Sequence, residues 1–174
     1  MTAEATAVAT PVAAADVVNV LAEIGATHVV TVPDTHQRTV MAALDASTMP
    51  VVRAATEDDV LAICAGLWMA GETPVALIQQ LGLFASVNAL RAFTHDQGVP
   101  LAVLAGLYGR DVEAAVASDG QPSAVRLCMP LLDALRIRWT LVDRSEDVTR
   151  IGPALSAAFA DECTSVVLLG APTT

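Results

Sequence analysis

Residues 73–82 read Thr73-Pro74-Val75-Ala76-Leu77-Ile78-Gln79-Gln80-Leu81-Gly82. They follow the run Glu57-Asp58-Asp59-Val60-Leu61-Ala62-Ile63-Cys64-Ala65-Gly66-Leu67-Trp68-Met69-Ala70-Gly71. The later stretch is a short strand that stays apolar from Val75 to Ile78 instead of alternating. An unbroken apolar strand is covered on both faces, as in a parallel sheet with helices above and below. The earlier run opens with three acids and continues as a small-residue apolar helix.

The same alternation extends in both directions. Strands are expected at 28–32, 51–54, 75–79, 101–105, 139–142 and 165–169. Helices are expected at 11–23, 35–44, 57–69, 83–93, 121–135 and 146–160. Six strands joined by helical crossovers predict a single doubly wound α/β domain, with a mainly parallel sheet and helices on both faces. Residues 1–10 lack turn chemistry or periodicity and read as a flexible tail, which leaves 11–174 as the domain. Ligands of such sheets bind beyond the carboxyl ends of the strands. That places any site among residues 33–36, 56–59, 80–82 and 106–120.

Composition narrows the function further. The chain carries a net charge of −10 and has no Lys, so all nine basic residues are Arg. Binding to nucleic acid or to an anionic membrane needs basic clusters, and none is present. A P-loop or Schiff-base Lys is likewise excluded. Cys64, Cys128 and Cys163 lie far apart and read as thiols in a reducing compartment. No apolar stretch reads as a membrane span and no secretory signal is evident, so a soluble cytoplasmic protein is expected. His28 and His95 have no acidic partner at metal-ligand spacing, so no metal site is expected within the chain.

Several residues at the strand ends carry chemistry, and each has two readings. Glu57 heads a helix, where an acid is favoured by the dipole, or it projects a partly buried carboxyl into the crevice. Asp34 either bonds its own turn or relays a proton to substrate. His36 is either a solvated loop residue or a proton donor. Gln79 and Gln80 are satisfied strand-end amides or hydrogen-bond partners of a ligand ring. Arg110 either pairs with Asp111 or Glu113 at the surface or clamps an acidic substrate.

The pattern resembles the α subunits of two-subunit thiamine diphosphate-dependent decarboxylases of the sulfopyruvate and phosphonopyruvate type. Val32-Pro33-Asp34 is similar to their first strand and turn, and Glu57 to Gly66 keeps their acid-to-glycine spacing. Gln79-Gln80-Leu81-Gly82-Leu83 with Val87-Asn88-Ala89-Leu90 is similar to their Gln-Asn-Ser-Gly-Leu segment and its downstream Asn-x-Leu. Gly98-Val99-Pro100-Leu101 and the helix ending Leu131-Leu132-Asp133-Ala134-Leu135 extend the likeness over residues 20–143. Gln80-Leu81 replaces the family's Asn-Ser, and Gly109-Arg110 reverses its Arg-Gly, so substrate specificity is not carried over.

The resemblance implies a pyrimidine-binding domain in which Glu57 is the activating acid and Glu57, Gln79, Gln80 and Gly82 meet the cofactor ring. Asp34 and His36 would be catalytic, and Asp34 and Arg110 would touch a small 2-oxo acid. The family's Gly-Asp-Gly motif with a downstream Asn is absent, since the only Asn residues are Asn19 and Asn88. A separate β subunit is therefore expected to anchor the diphosphate and Mg2+, giving a hetero-oligomer. Carboligation through the same cofactor and a non-catalytic α/β assembly module are the alternatives.

Overall fold

A computed structural model describes residues 10–174. Its six strands form one sheet, and every neighbouring pair is parallel. The strands are β1 (His28–Thr31), β2 (Val51–Arg53), β3 (Pro74–Gln79), β4 (Ala102–Gly106), β5 (Arg138–Val142) and β6 (Ser165–Leu169), in spatial order β2-β1-β3-β4-β6-β5. The helices are α1 (Ala14–Glu23), α2 (Arg38–Asp45), α3 (Glu57–Met69), α4 (Gln80–Ala85), α5 (Val87–Arg91), α6 (Ser123–Arg126), α7 (Cys128–Ala134) and α8 (Ile151–Ala160). Of the expected tail, residues 1–9 lie outside the described residues. Thr10 is bonded to Ser145, hydroxyl to hydroxyl at 2.7 Å.

Alternate residues of each central strand enter two separate cores. Val29, Val75, Leu77, Leu104 and Val167 pack beneath α1, α2 and α8. Val30, Ala76, Ile78, Val103 and Val166 pack beneath α3, α4, α5 and α7. Both cores are aliphatic, which is why the strands read as continuously apolar instead of alternating.

The helix borders differ from expectation for local reasons. Val12 bridges to Thr173, so the first helix starts at Ala14 and not at Pro11. Asp34 accepts the His36 amide at 2.8 Å, and this turn delays α2 to Arg38. The helix expected at 83–93 begins earlier, at Gln80, and is broken at Ser86, whose hydroxyl donates to the Gly82 carbonyl at 2.6 Å. It ends in a π turn at Ala92–Asp96. Pro130 and Pro153 each fall in the first turn of a restarted helix, where the missing N–H has no bond to lose. The long helices expected across 121–135 and 146–160 are divided accordingly, the second into a 3-10 turn at Ser145–Arg150 and α8.

Leu77 is buried in the most central part of the sheet, with β1 and β4 on either side of β3. Leu77→Ala is expected to lower unfolding free energy by about 2–5 kcal/mol, read from urea melts.

Candidate functional site

The strand order reverses direction between β1 and β3. The chain runs outward from β1 to β2, then returns across β1 to β3 and continues to β4. Connections therefore leave this pair on opposite faces, and a crevice opens beyond their carboxyl ends. Asp34 closes its β1 side. Its Oδ1 accepts the Gln79 side-chain amide from β3 at 3.0 Å as well as the His36 backbone amide. Its Oδ2 is buried and has no partner.

His36 is half-buried, with its ring edge-on to Tyr108 at a centroid distance of 5.4 Å and an interplanar angle of 79°. Burial holds its pKa below the ordinary value, and the nearby Asp34 carboxylate offsets part of that. Gly106, the last residue of β4, makes room for it. A Cβ there would lie 3.0 Å from the His36 ring. Gln37 is buried beside it, donating to the Ile78 carbonyl and leaving Oε1 unpaired.

Glu57 begins α3 on the opposite side of the β3 end. The capping bond is made by Thr56, whose hydroxyl accepts the Asp59 amide at 3.2 Å, so Glu57 is free of that duty. Asp58 and Asp59 are exposed first-turn acids, while Glu57 is half-buried. Its side chain lies over Gly82, where a Cβ would come within 2.4 Å of Cγ and 3.1 Å of Oε1. No described residue offers the Glu57 carboxyl a hydrogen bond or an ion pair. Asp34 on Gln79 and Glu57 on Gly82 thus converge on the β3–α4 junction.

Gln80 behaves differently from its neighbour. It is fully buried, and its amide donates to the Tyr108 carbonyl and accepts the Tyr108 N–H, both at 2.7 Å. Its polar atoms are engaged with this backbone. Arg110 is drawn into contacts with the loops beside it, among them the Asp111 backbone carbonyl. Its side chain is 4% exposed, donating to Asp143 at 2.7 Å and to the Ala114 carbonyl at 2.8 Å. Gly170 makes this possible, since a Cβ there would collide with Asp143 Oδ1.

Sequence reasoning passed over Arg38. It has no hydrogen bond or ion pair among the described residues, and it lines a cleft of about 420 Å3 with His36, Gln37, Gly106, Tyr108 and Thr173. Seven of the nine arginines find carboxylates elsewhere, and of the remaining two, Arg38 and Arg136, Arg38 lines this cleft.

Cys64 and Cys128 are buried thiols pushed up to about 12 by desolvation, so neither serves as a nucleophile. Cys163 is half-buried and bonded by Arg138. No cluster of three or more His, Cys, Asp or Glu suited to a metal occurs among the described residues. Nor is any described helix long and apolar enough to cross a membrane.

Comparison with known proteins agrees with the resemblance carried by Glu57 to Gly66 and Gln79 to Leu90. Sulfopyruvate decarboxylase of Methanosarcina acetivorans is 27% identical over 129 residues, which is 72% of this chain and 32% of that protein. The chain therefore spans well under half of that relative. A solved 2-oxoglutarate:ferredoxin oxidoreductase from Magnetococcus marinus, with 2-oxoglutarate, coenzyme A and succinyl-CoA bound, superposes with a TM-score of 0.67 at 18% identity. The match covers 91% of this chain and 29% of that one, and it is a likeness of fold. No protein-family model matches.

The lowered His36 pKa has a defined sign in stability. The folded chain takes up this proton less readily than the unfolded one, so the residue's contribution holds above about pH 6.5 and is lost as pH falls through the folded pKa. His36→Gln should flatten that loss in urea midpoints measured across the interval. An unchanged slope would show that another group controls it.

Proposed function

We propose that this chain is the pyrimidine-binding subunit of a thiamine diphosphate-dependent enzyme acting on a 2-oxo acid, with decarboxylation as its reaction. The observation that carries the reading is Glu57: a half-buried carboxyl without a protein partner, held against a glycine at the mouth of the crevice. An unpaired, partly desolvated carboxyl is suited to share a proton with a heterocyclic nitrogen. The sequence similarity to sulfopyruvate decarboxylase supports it independently.

The residues present fit the aminopyrimidine part of the cofactor. Glu57 would hold the proton at a ring nitrogen, and Gly82 leaves the space beside it open. Gln79, fixed by Asp34, would present its remaining amide oxygen to the same edge. When bound, the cofactor supplies an electron sink for the carbanion that loss of CO2 leaves behind.

Neutral His36 is placed to donate or receive a proton at the cleft, with Asp34 fixing its backbone. Arg38 is the unpaired cation of the same cleft, and we assign it the acidic substrate because Arg110 is engaged with Asp143. A guanidinium held on the carboxylate that leaves as neutral CO2 would stabilise the ground state over the transition state. Arg38 therefore suits a second acidic group, one that keeps its charge throughout. The diphosphate and Mg2+ belong to a partner chain in this reading, because the motif for them is missing from the sequence.

Thiamine diphosphate and Mg2+ titrated onto this chain with a partner subunit should bind only when both chains are present. Binding by neither mixture would leave the assembly-module alternative, and an acyloin product in place of free aldehyde would select carboligation. Glu57→Gln should lower turnover of the complex about 100-fold or more without dissociating it; activity within tenfold of wild type would refute the role. Gly82→Ala should weaken cofactor binding about tenfold to a hundredfold by displacing Glu57, the loss expected of one hydrogen bond to a charged group. Arg38→Gln should raise KM for a 2-oxo acid bearing a second acidic group while sparing kcat; an unchanged KM would remove Arg38 from the substrate site.

A further inference from the structure

Tyr108 combines two properties that rarely occur together. Its backbone is gripped at both polar atoms by the amide of Gln80, a side chain with no exposure at all. The residue is nevertheless 57% exposed, with its ring at the mouth of the cleft. Among the described residues its ring meets one other ring, in the edge-on approach to His36. On the other side, His36 packs closely on Gly106, where a Cβ would lie 3.0 Å from its ring, and its own amide is tied to Asp34.

We propose that Gln80 and Tyr108 are positioning residues, a latch and a pad, that hold the His36 imidazole in one orientation at the mouth of the cleft. The chain of support is short. Gln80 spans from the start of α4 to Tyr108, two residues past the β4 end, and so fixes where the Tyr108 ring can stand. Tyr108 then covers one side of the His36 ring and limits rotation about its side-chain bonds. The charged groups near the imidazole are Asp34, in the same turn, and Arg38, at the start of α2. The end of β6 and the segment after it bring Leu169, Ala171, Pro172 and Thr173 to the cleft, none of them charged. With no other titrating group on those sides, the ring's surroundings depend on this aromatic pad. A proton-transfer group gains from such fixing because its angle to the reacting atom is set in advance.

The inference rests on the role given to His36 above, but its test does not need the cofactor. NMR titration of the His36 ring in the full chain would compare wild type with Tyr108→Phe, Tyr108→Ala and Gln80→Leu. Tyr108→Phe should reproduce wild type. Tyr108→Ala should move the midpoint upward, toward the ordinary histidine value, by about half a pH unit, and should remove the ring-current shift of the Cδ2 proton. Gln80→Leu should do the same, and if it unfolds the chain, Tyr108→Ala alone decides, since its backbone bonds to Gln80 remain. With the partner subunit present, the acid limb of kcat/KM should move in the same direction. An unaltered His36 titration and Cδ2 shift in Tyr108→Ala would overturn the proposal. A complex that fails to bind thiamine diphosphate while these shifts occur would instead refute the functional reading and leave the positioning intact.

Discussion

Everything distinctive about the crevice depends on the absent side chain at Gly82. A methyl group there would occupy the space that the Glu57 Cγ takes, so the acid could not lie along the β3–α4 junction. Because Thr56 already caps α3, the Glu57 carboxyl is not drawn back to its own helix. It is left half-buried at the crevice without a protein partner among the described residues, whereas the buried Arg110 side chain is paired with Asp143. This contrast gives Glu57 its functional weight.

The polar groups along the carboxyl edge of the sheet fall into two sets. One set ties neighbouring strand ends together: Asp34 with Gln79 between β1 and β3, Gln80 with Tyr108 between β3 and β4, and Arg110 with Asp143 between the loops after β4 and β5. Gln121 adds a further tie, gripping the Asp111 backbone in the loop that follows. The ties span the junction where the parallel strands stop and their backbones diverge. The second set has no protein partner: the Glu57 carboxyl, the Asp34 Oδ2, the Gln37 Oε1 and the Arg38 guanidinium. Rigid supports beside unsatisfied groups are what a preorganised site requires.

The sheet was legible because its cause is local. Val75 to Ile78 and Val166 to Leu169 are apolar at every position, and only a strand with a core on each face needs that. Helix breaks were less legible, since the interruptions at Ser86 and Leu127 come from tertiary packing and side-chain bonds that periodicity does not encode. Arg110 shows the limit most clearly. The carboxylate that claims it lies at Asp143, and the glycine that admits the pair is Gly170, so the pairing exists only after three strand ends have been assembled. Gln80 and Tyr108 are separated in the same manner. Glu57 was legible by its place in a pattern, but its freedom from capping was not, because that depends on which side chain Asp59 selects.

The distribution of arginines carries the argument one step further. In a chain with a net charge of −10, acids greatly outnumber cations, and most arginines are drawn into ion pairs. Among the described residues Arg38 and Arg136 are left without an ion pair, and Arg38 is the one that lines the cleft. Arg38 begins α2 directly after the turn fixed by Asp34, and that carboxylate is already occupied at Oδ1 by Gln79 and the His36 amide. The bonds that tie Asp34 to Gln79 and to the His36 amide are the same bonds that close the crevice. A free cation, an imidazole covered on one side and an unpaired carboxyl are consequences of one arrangement of strand ends, so their roles stand or fall together with it.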